Sequence, residues 1–215
     1  LASRSRPRPR RGGPPGGARR PQDRYGRRAK REGFAARSVY KLQEIDRRVG
    51  LLRPGARVLD LGAAPGSWSQ FIAEKVGPQG VVLAVDEKEA GVDLPPWVRW
   101  QQSDVLSLTP GELGGPSSFE VVLSDMAPAT TGHRSLDQAR SFRLFEAALA
   151  LAVGTLVPGG RFCAKIFQSG DFPEAQRQVR DAFDKARVLR PQAIRTESYE
   201  VYLVGLGFRG APDPG

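Results

Sequence analysis

Val58-Leu59-Asp60-Leu61-Gly62-Ala63-Ala64-Pro65-Gly66 sets the fold class of this chain. An apolar run passes through small residues into a helix-like stretch beginning near Ser67, so a buried strand meets a helix across a tight turn. Open α/β sheets bind their ligands at such crossings, outside the carboxyl ends of the strands. Gly62 and Gly66 allow close approach of backbone to a ligand, and Ala63 and Ala64 keep the floor of the loop shallow. The spacing is not that of G-x-G-x-x-G, and no P-loop lysine follows, which disfavours NAD and ATP. A glycine turn needed only for packing is the plain alternative for the loop taken alone.

Two acids downstream weigh against that alternative. The next apolar run ends at Val85-Asp86, about 20 residues past the glycines, where a carboxylate can accept hydrogen bonds from ribose hydroxyls. Ser103-Asp104 follows a weaker strand near Trp100 and can accept from an exocyclic adenine amine. Contacts on three successive strand ends specify an adenosine-containing cofactor better than any one of them. Trp68 is expected as an aromatic wall of that site, with a place in the core as its alternative.

Outward from the loop, short runs rich in Val, Leu or Phe at Arg57–Leu61, 81–85, 98–101, 120–124, 161–166 and 199–206 read as strands. Helical spacing marks 35–48, 68–75, 136–153 and 173–186. Strands alternating with helices imply an α/β fold with a mostly parallel sheet covered on both faces. Pro158-Gly159-Gly160 reads as a turn that stops a helix before Arg161, and 111–118 as a polar loop.

Composition narrows the chemistry. The chain has 215 residues, of which 40% are hydrophobic, enough for one core and one domain over residues 34–209. The single cysteine, Cys163, permits no internal disulfide and fits a reducing, cytoplasmic setting. One histidine, His133, leaves no His-based metal cluster and no Ser/His/Asp triad of ordinary type. No metal site is expected, nor a membrane span, since the longest apolar stretch, 144–157, is interrupted by Glu146 and short of the roughly 20 residues required. Of the 33 basic residues, 12 lie in residues 1–33 against 2 of the 23 acidic ones, so the formal charge of +10 resides there and the remainder is neutral. This Arg/Pro/Gly-rich arm is expected to be disordered, as is a tail over 210–215. Arginines at this density favour salt-sensitive nucleic-acid binding. A solubilising tail and an Arg-rich targeting segment are alternatives, the latter disfavoured by the prolines and glycines.

Three ionisable residues stand where apolar runs meet loops: Asp125, Lys165 and Glu200. Such groups are rarely buried unless paired. Asp125 and Lys165 fall at carboxyl ends of parallel strands, and Glu200 reaches the same edge if its strand runs antiparallel. Lys41 lies beside the apolar stripe of the first predicted helix.

At this point the chain resembles the FtsJ/RrmJ family of ribose 2′-O-methyltransferases. The matching blocks run from Ala36 to Asp46, from Asp60 to Gln70 and from Ser124 to Pro128, followed by Pro158-Gly159-Gly160 with Lys165 and by Glu200-Val201-Tyr202. The resemblance implies a Rossmann-like, seven-stranded sheet with an antiparallel last strand, and S-adenosyl-L-methionine as methyl donor. It implies a catalytic tetrad of Lys41, Asp125, Lys165 and Glu200, and cofactor contacts at Gly66, Trp68, Asp86, Asp104 and Asp125. Its bacterial-type members imply a uridine ribose of large-subunit ribosomal RNA as target, within the large ribosomal subunit, and a monomeric enzyme. Ser67 departs from the family's second glycine, and 87–95 is unlike the family's usual loop.

A 2′-hydroxyl is a weak nucleophile that must be held for attack and lose its proton. On this reading Lys165 directs the hydroxyl and acts as base or stabilises the developing alkoxide, with Asp125 and Glu200 orienting the two lysines. Base amino methylation is disfavoured because Asp125-Met126-Ala127-Pro128 lacks the Pro-Pro-aromatic run of those enzymes. Methylation of transfer RNA or a messenger cap, and a catalytically idle RNA-binding assembly factor, are the other readings.

Overall fold

Alternation along each strand distributes the core over two faces of one sheet, as seen in a computed structural model that describes residues 22–210. The elements are α1 (Gln22–Arg31), α2 (Val39–Val49), β1 (Arg57–Leu61), α3 (Ser67–Val76), β2 (Val81–Asp86), β3 (Val98–Gln102), β4 (Phe119–Ser124), α4 (Arg134–Thr155), β5 (Leu156–Phe167), α5 (Phe172–Ala182), β6 (Phe183–Leu189) and β7 (Glu200–Phe208). Seven strands form one sheet in the order β3-β2-β1-β4-β5-β7-β6. β1 pairs in parallel with both β2 and β4, and the chain order reverses between them. β7 alone is antiparallel, to β5 and to β6.

On one face Val58, Val121, Leu123, Cys163 and Val204 pack under α2 and α3, through Leu42, Ile45, Phe71 and Ile72. On the other, Leu59, Val122, Phe162, Ile166 and Leu203 pack under α4 and α5, through Phe145, Ala148, Ala175 and Val179. With period-2 side chains, residues 125, 165, 200 and 202 all belong to the α2 side.

Three expectations are corrected. The end of the basic arm, expected to be disordered, forms α1, because Ala29 is buried and Tyr25 sets its ring 5.6 Å from that of Tyr40. Residues 1–21, the rest of the arm, and 211–215 of the tail lie outside the described residues. The helix expected over 173–186 stops at Ala182, and 183–189 forms the edge strand β6. Phe183 packs over Gly205, where a Cβ would lie 2.5 Å from the ring. Pro158-Gly159-Gly160 is no free turn but a bulge inside β5, since Phe119 opposes Leu156 and Val121 opposes Arg161.

Candidate active site

The reversal between β1 and β4 opens a cleft of about 380 Å³ at the carboxyl edge. Gly62, Ala64, Asp86, Asp104 and Asp125 line it. Asp86 is fixed by the main chain: its Oδ2 accepts the Ala64 N–H at 3.0 Å and its Oδ1 the Lys88 N–H at 2.9 Å. Asp104 caps a short 3-10 turn, accepting the Leu106 N–H at 2.9 Å. Four carboxylates, Asp86, Glu87, Asp104 and Asp125, line the cleft against one lysine, Lys88. That set accepts hydrogen bonds from hydroxyl and amino groups and opposes phosphate, so it fits a nucleoside carrying positive charge.

The glycines serve the protein's own packing more than expected. A Cβ on Gly62, whose φ is +73°, would meet Met126 Cγ at 2.5 Å, so the missing side chain makes room for Met126 while Gly62 still lines the cleft. Gly66 caps α3 and admits Val92 from the loop after β2; it does not line the cleft. Trp68 is also corrected. Its ring is buried, packs 5.9 Å from Tyr202, and donates its indole N–H to the Ser38 carbonyl at 2.9 Å. The indole is therefore core, tying α3 to the start of α2, and only the first-turn N–H of this residue can serve a ligand. Ser67 adds to that tie through a 2.8 Å hydroxyl contact with Ser38.

Beside the cleft, strand register assembles the ionic centre. Ser124 opposes Ala164 and Lys165 opposes Tyr202, so one residue further along β4 Asp125 comes level with Lys165. Lys165 Nζ donates to the Asp125 carbonyl and lies 3.0 Å from Asp125 Oδ1, with the lysine side chain 6% exposed. Tyr202 donates its hydroxyl to the same Oδ1 at 2.6 Å. Burial pushes the Asp125 carboxyl up, but the charges of Lys165 and Lys41 and the two hydrogen bonds outweigh it and hold it below the usual range. Burial, then the charges of Asp125 and Glu200, drives the Tyr202 phenol far up, so it remains a donor. Lys41, on α2, pairs with Glu200 Oε1 at 2.5 Å, an ion contact outside hydrogen-bond angles. The four tetrad residues thus form two adjacent ion pairs, bridged by Tyr202, whose ring centre is 6.0 Å from Lys41 Nζ.

Two groups were missed in the sequence. Tyr202 stands two residues after Glu200, so strand alternation alone places both on one face. Asp60, in the first strand, is buried and accepts the Ser69 hydroxyl at 2.7 Å, while its Oδ1 has no partner among the described residues. Burial lifts its carboxyl to about 7, Ser69 opposes the lift, and the charges of Asp125 and Asp86 add to it. Cys163 is buried with its thiol pushed up by that burial, which removes it as a nucleophile, and His133 lies exposed before α4. Among the described residues no group of His, Cys, Asp and Glu is gathered as a metal site, and no helix is long and apolar enough to cross a membrane.

A doubly wound sheet with a carboxylate-lined cleft at its topological switch, flanked by a buried lysine, defines a Rossmann-like, cofactor-dependent enzyme. The model of the FtsJ-like methyltransferases matches residues 34–208, and the chain belongs to that family. It is 49% identical over 193 residues to the ribosomal RNA large subunit methyltransferase E of Sorangium cellulosum, covering 90% of this chain and 91% of the relative. The protein of the same name from Oleidesulfovibrio alaskensis is 49% identical over 195 residues, covering 89% and 94%. A crystal structure described as a ribosomal RNA methyltransferase from Plasmodium falciparum superposes with a TM-score of 0.71 at 23% identity, over 82% of this chain and 100% of that one, a likeness of fold.

Proposed function

We propose that this chain transfers a methyl group from S-adenosylmethionine to the 2′-hydroxyl of a ribose in RNA, a uridine of large-subunit ribosomal RNA, in the cytoplasm where ribosomes are made. The observation that carries the reading is Lys165, held by Asp125, which Tyr202 holds in turn, beside a cleft whose lining suits a cationic nucleoside. The names of the relatives support the choice of RNA.

S-adenosylmethionine, when bound, supplies a methyl group already activated on a sulfonium. Asp86 and Asp104 are the residues that would hold its hydroxyl and amino groups. The acceptor needs more help. Lys165 has two acceptors of its own, the carbonyl and the carboxylate of Asp125, which leaves one valence of Nζ. That valence meets the acceptor oxygen, as a lone pair taking its proton or as an N–H stabilising the forming alkoxide. Asp125 fixes the lysine, and Tyr202 fixes Asp125. Lys41 and Glu200 form the neighbouring pair, which places a second positive charge where the oxygen becomes anionic.

The test is transfer of labelled methyl from S-adenosylmethionine to large ribosomal subunits lacking ribose methylation, followed by nucleoside analysis. The expected product is labelled 2′-O-methyluridine, lost with Lys165→Met. Label on a base would overturn the assignment of the tetrad, as would near-normal turnover of Lys165→Met with cofactor binding intact. No label despite cofactor binding would move the reading to another RNA or to an idle binding factor.

A further inference from the structure

The helix that replaces the end of the expected flexible arm carries an organised charge pattern. Arg24, Arg27, Arg28 and Arg31 recur at spacings of three, one and three, which gathers them into one stripe over two turns. All four are exposed, and together they line a shallow surface concavity of about 460 Å³. The stripe extends roughly 10 Å along the helix axis at 1.5 Å per residue. Like charges at three- and four-residue spacings repel, a cost that the Arg28–Glu32 pair offsets in part. Tyr25 and Ala29 supply apolar packing that attaches α1, and Arg28 of the stripe adds its place over the Tyr40 ring of α2.

The attachment reaches the residue next to Lys41 in the chain. Tyr40, the neighbour of Lys41 in the chain, contacts α1 and its end three times: its ring faces Tyr25, its hydroxyl donates to Glu32 at 2.9 Å, and the Arg28 guanidinium lies 4.5 Å from its ring centre. Arg28 is held in addition by Glu32 at 2.7 Å. The arginine stripe thus lies on a helix joined through one side chain to the neighbour of Lys41.

We propose that the arginine face of α1 is a docking surface for the phosphate backbone of the RNA that carries the target ribose. This rests on the RNA reading above and adds where the RNA is gripped. Guanidinium groups spaced along a helix suit successive phosphates, whose oxygens they bind in pairs. The contacts position the RNA without reading its sequence. The carboxylate-lined cleft repels phosphate, so grip and chemistry are divided between two surfaces of opposite sign.

The test is equilibrium binding of the full chain to an unmethylated fragment of large-subunit ribosomal RNA, from about 50 to 200 mM salt, where counterion release is measurable. The variant is Arg24→Gln/Arg27→Gln/Arg31→Gln, leaving Arg28 in its place over Tyr40. The plot of log affinity against log salt should lose about 2 to 3 of its slope, at roughly 0.7 to 0.9 for each phosphate contact. The KM for RNA should rise about tenfold or more, with kcat and cofactor affinity as in the wild type. The corresponding triple change to lysine should keep the wild-type slope. If the lysine variant also loses it, or if the glutamine variant keeps it, the proposal falls. A glutamine variant that binds RNA normally but loses anionic phospholipid vesicles would assign the face to a membrane instead and overturn the proposal. RNA methylation with an unchanged slope sinks the docking surface alone. A changed slope in a chain that methylates no RNA sinks the catalytic reading alone.

Discussion

At the carboxyl edge of the sheet, the ends of β1 to β3 and the ends of β4, β5 and β7 are built from different materials. On the first side the cleft is shaped largely by main chain: Asp86 is clamped by the N–H groups of Ala64 and Lys88, 22 and 2 residues away. On the second side main-chain contacts are few, and the site consists of charged side chains brought together by register. Asp125 reaches Lys165 across 40 residues and Tyr202 across 77. A region fixed by local backbone loses affinity in steps when a side chain is cut. One fixed by mutual ion pairing fails as a unit, because each removal leaves a buried charge without its partner.

The sharpest test of that contrast is Lys165→Met. It should lower kcat by about a thousandfold, within the range for a lost general base, and leave cofactor affinity within about threefold of normal. A large loss of cofactor affinity would show that the two halves are not separable. Asp60, which lies between them, is expected to show an intermediate effect. Its carboxyl titrates at about 7 in the folded chain, up from 3.8. The folded chain therefore holds a proton that the unfolded chain releases, and stability falls as pH rises from about 4 to 7. The loss is about 4 kcal/mol, with no further change from this group above that window. Denaturant titrations across that range should show the slope in the wild type and its absence in Asp60→Asn; equal slopes would mean that Ser69 satisfies the carboxylate better than its orphaned oxygen indicates. The smallest effect is expected on the backbone-built side. Asp86→Ala should weaken cofactor binding about tenfold, the loss of one charge-assisted hydrogen bond, with kcat at saturation unchanged. A collapse of kcat there would erase the distinction.

The same contrast explains what the sequence disclosed. The strand, turn and acids of the cofactor side lie within some fifty residues and announce themselves by local pattern. Six of the seven strands did so as well, because buried strands are apolar runs. β6 did not: Asp184, Lys185 and Arg187 lie on an edge with half its surface in water, and its pairing depends on the space at distant Gly205. The antiparallel direction of β7 was legible only through the need to bring Glu200 to the right edge. Trp68 was misjudged since an aromatic in a helix's first turn can face either the loop or the neighbouring helix, and the deciding acceptor, the Ser38 carbonyl, is 30 residues away. α1 was hidden by an arginine content that suggests disorder, with Tyr25 and Ala29 as its few apolar anchors.

The order of strands in space also sets an order in time. β6 is synthesised before β7 yet lies outside it, so β6 has nowhere to pair until β7 has taken its place beside β5. Chains emerge from the ribosome with their earlier parts free to fold first. While β7 is still unmade, the ends of β1 to β3 have already been synthesised, but Lys165 still lacks Tyr202 across the sheet and Lys41 still lacks Glu200. The last strand to be made is thus the one that supplies partners to both lysines' pairs, Glu200 to Lys41 and Tyr202 to Asp125.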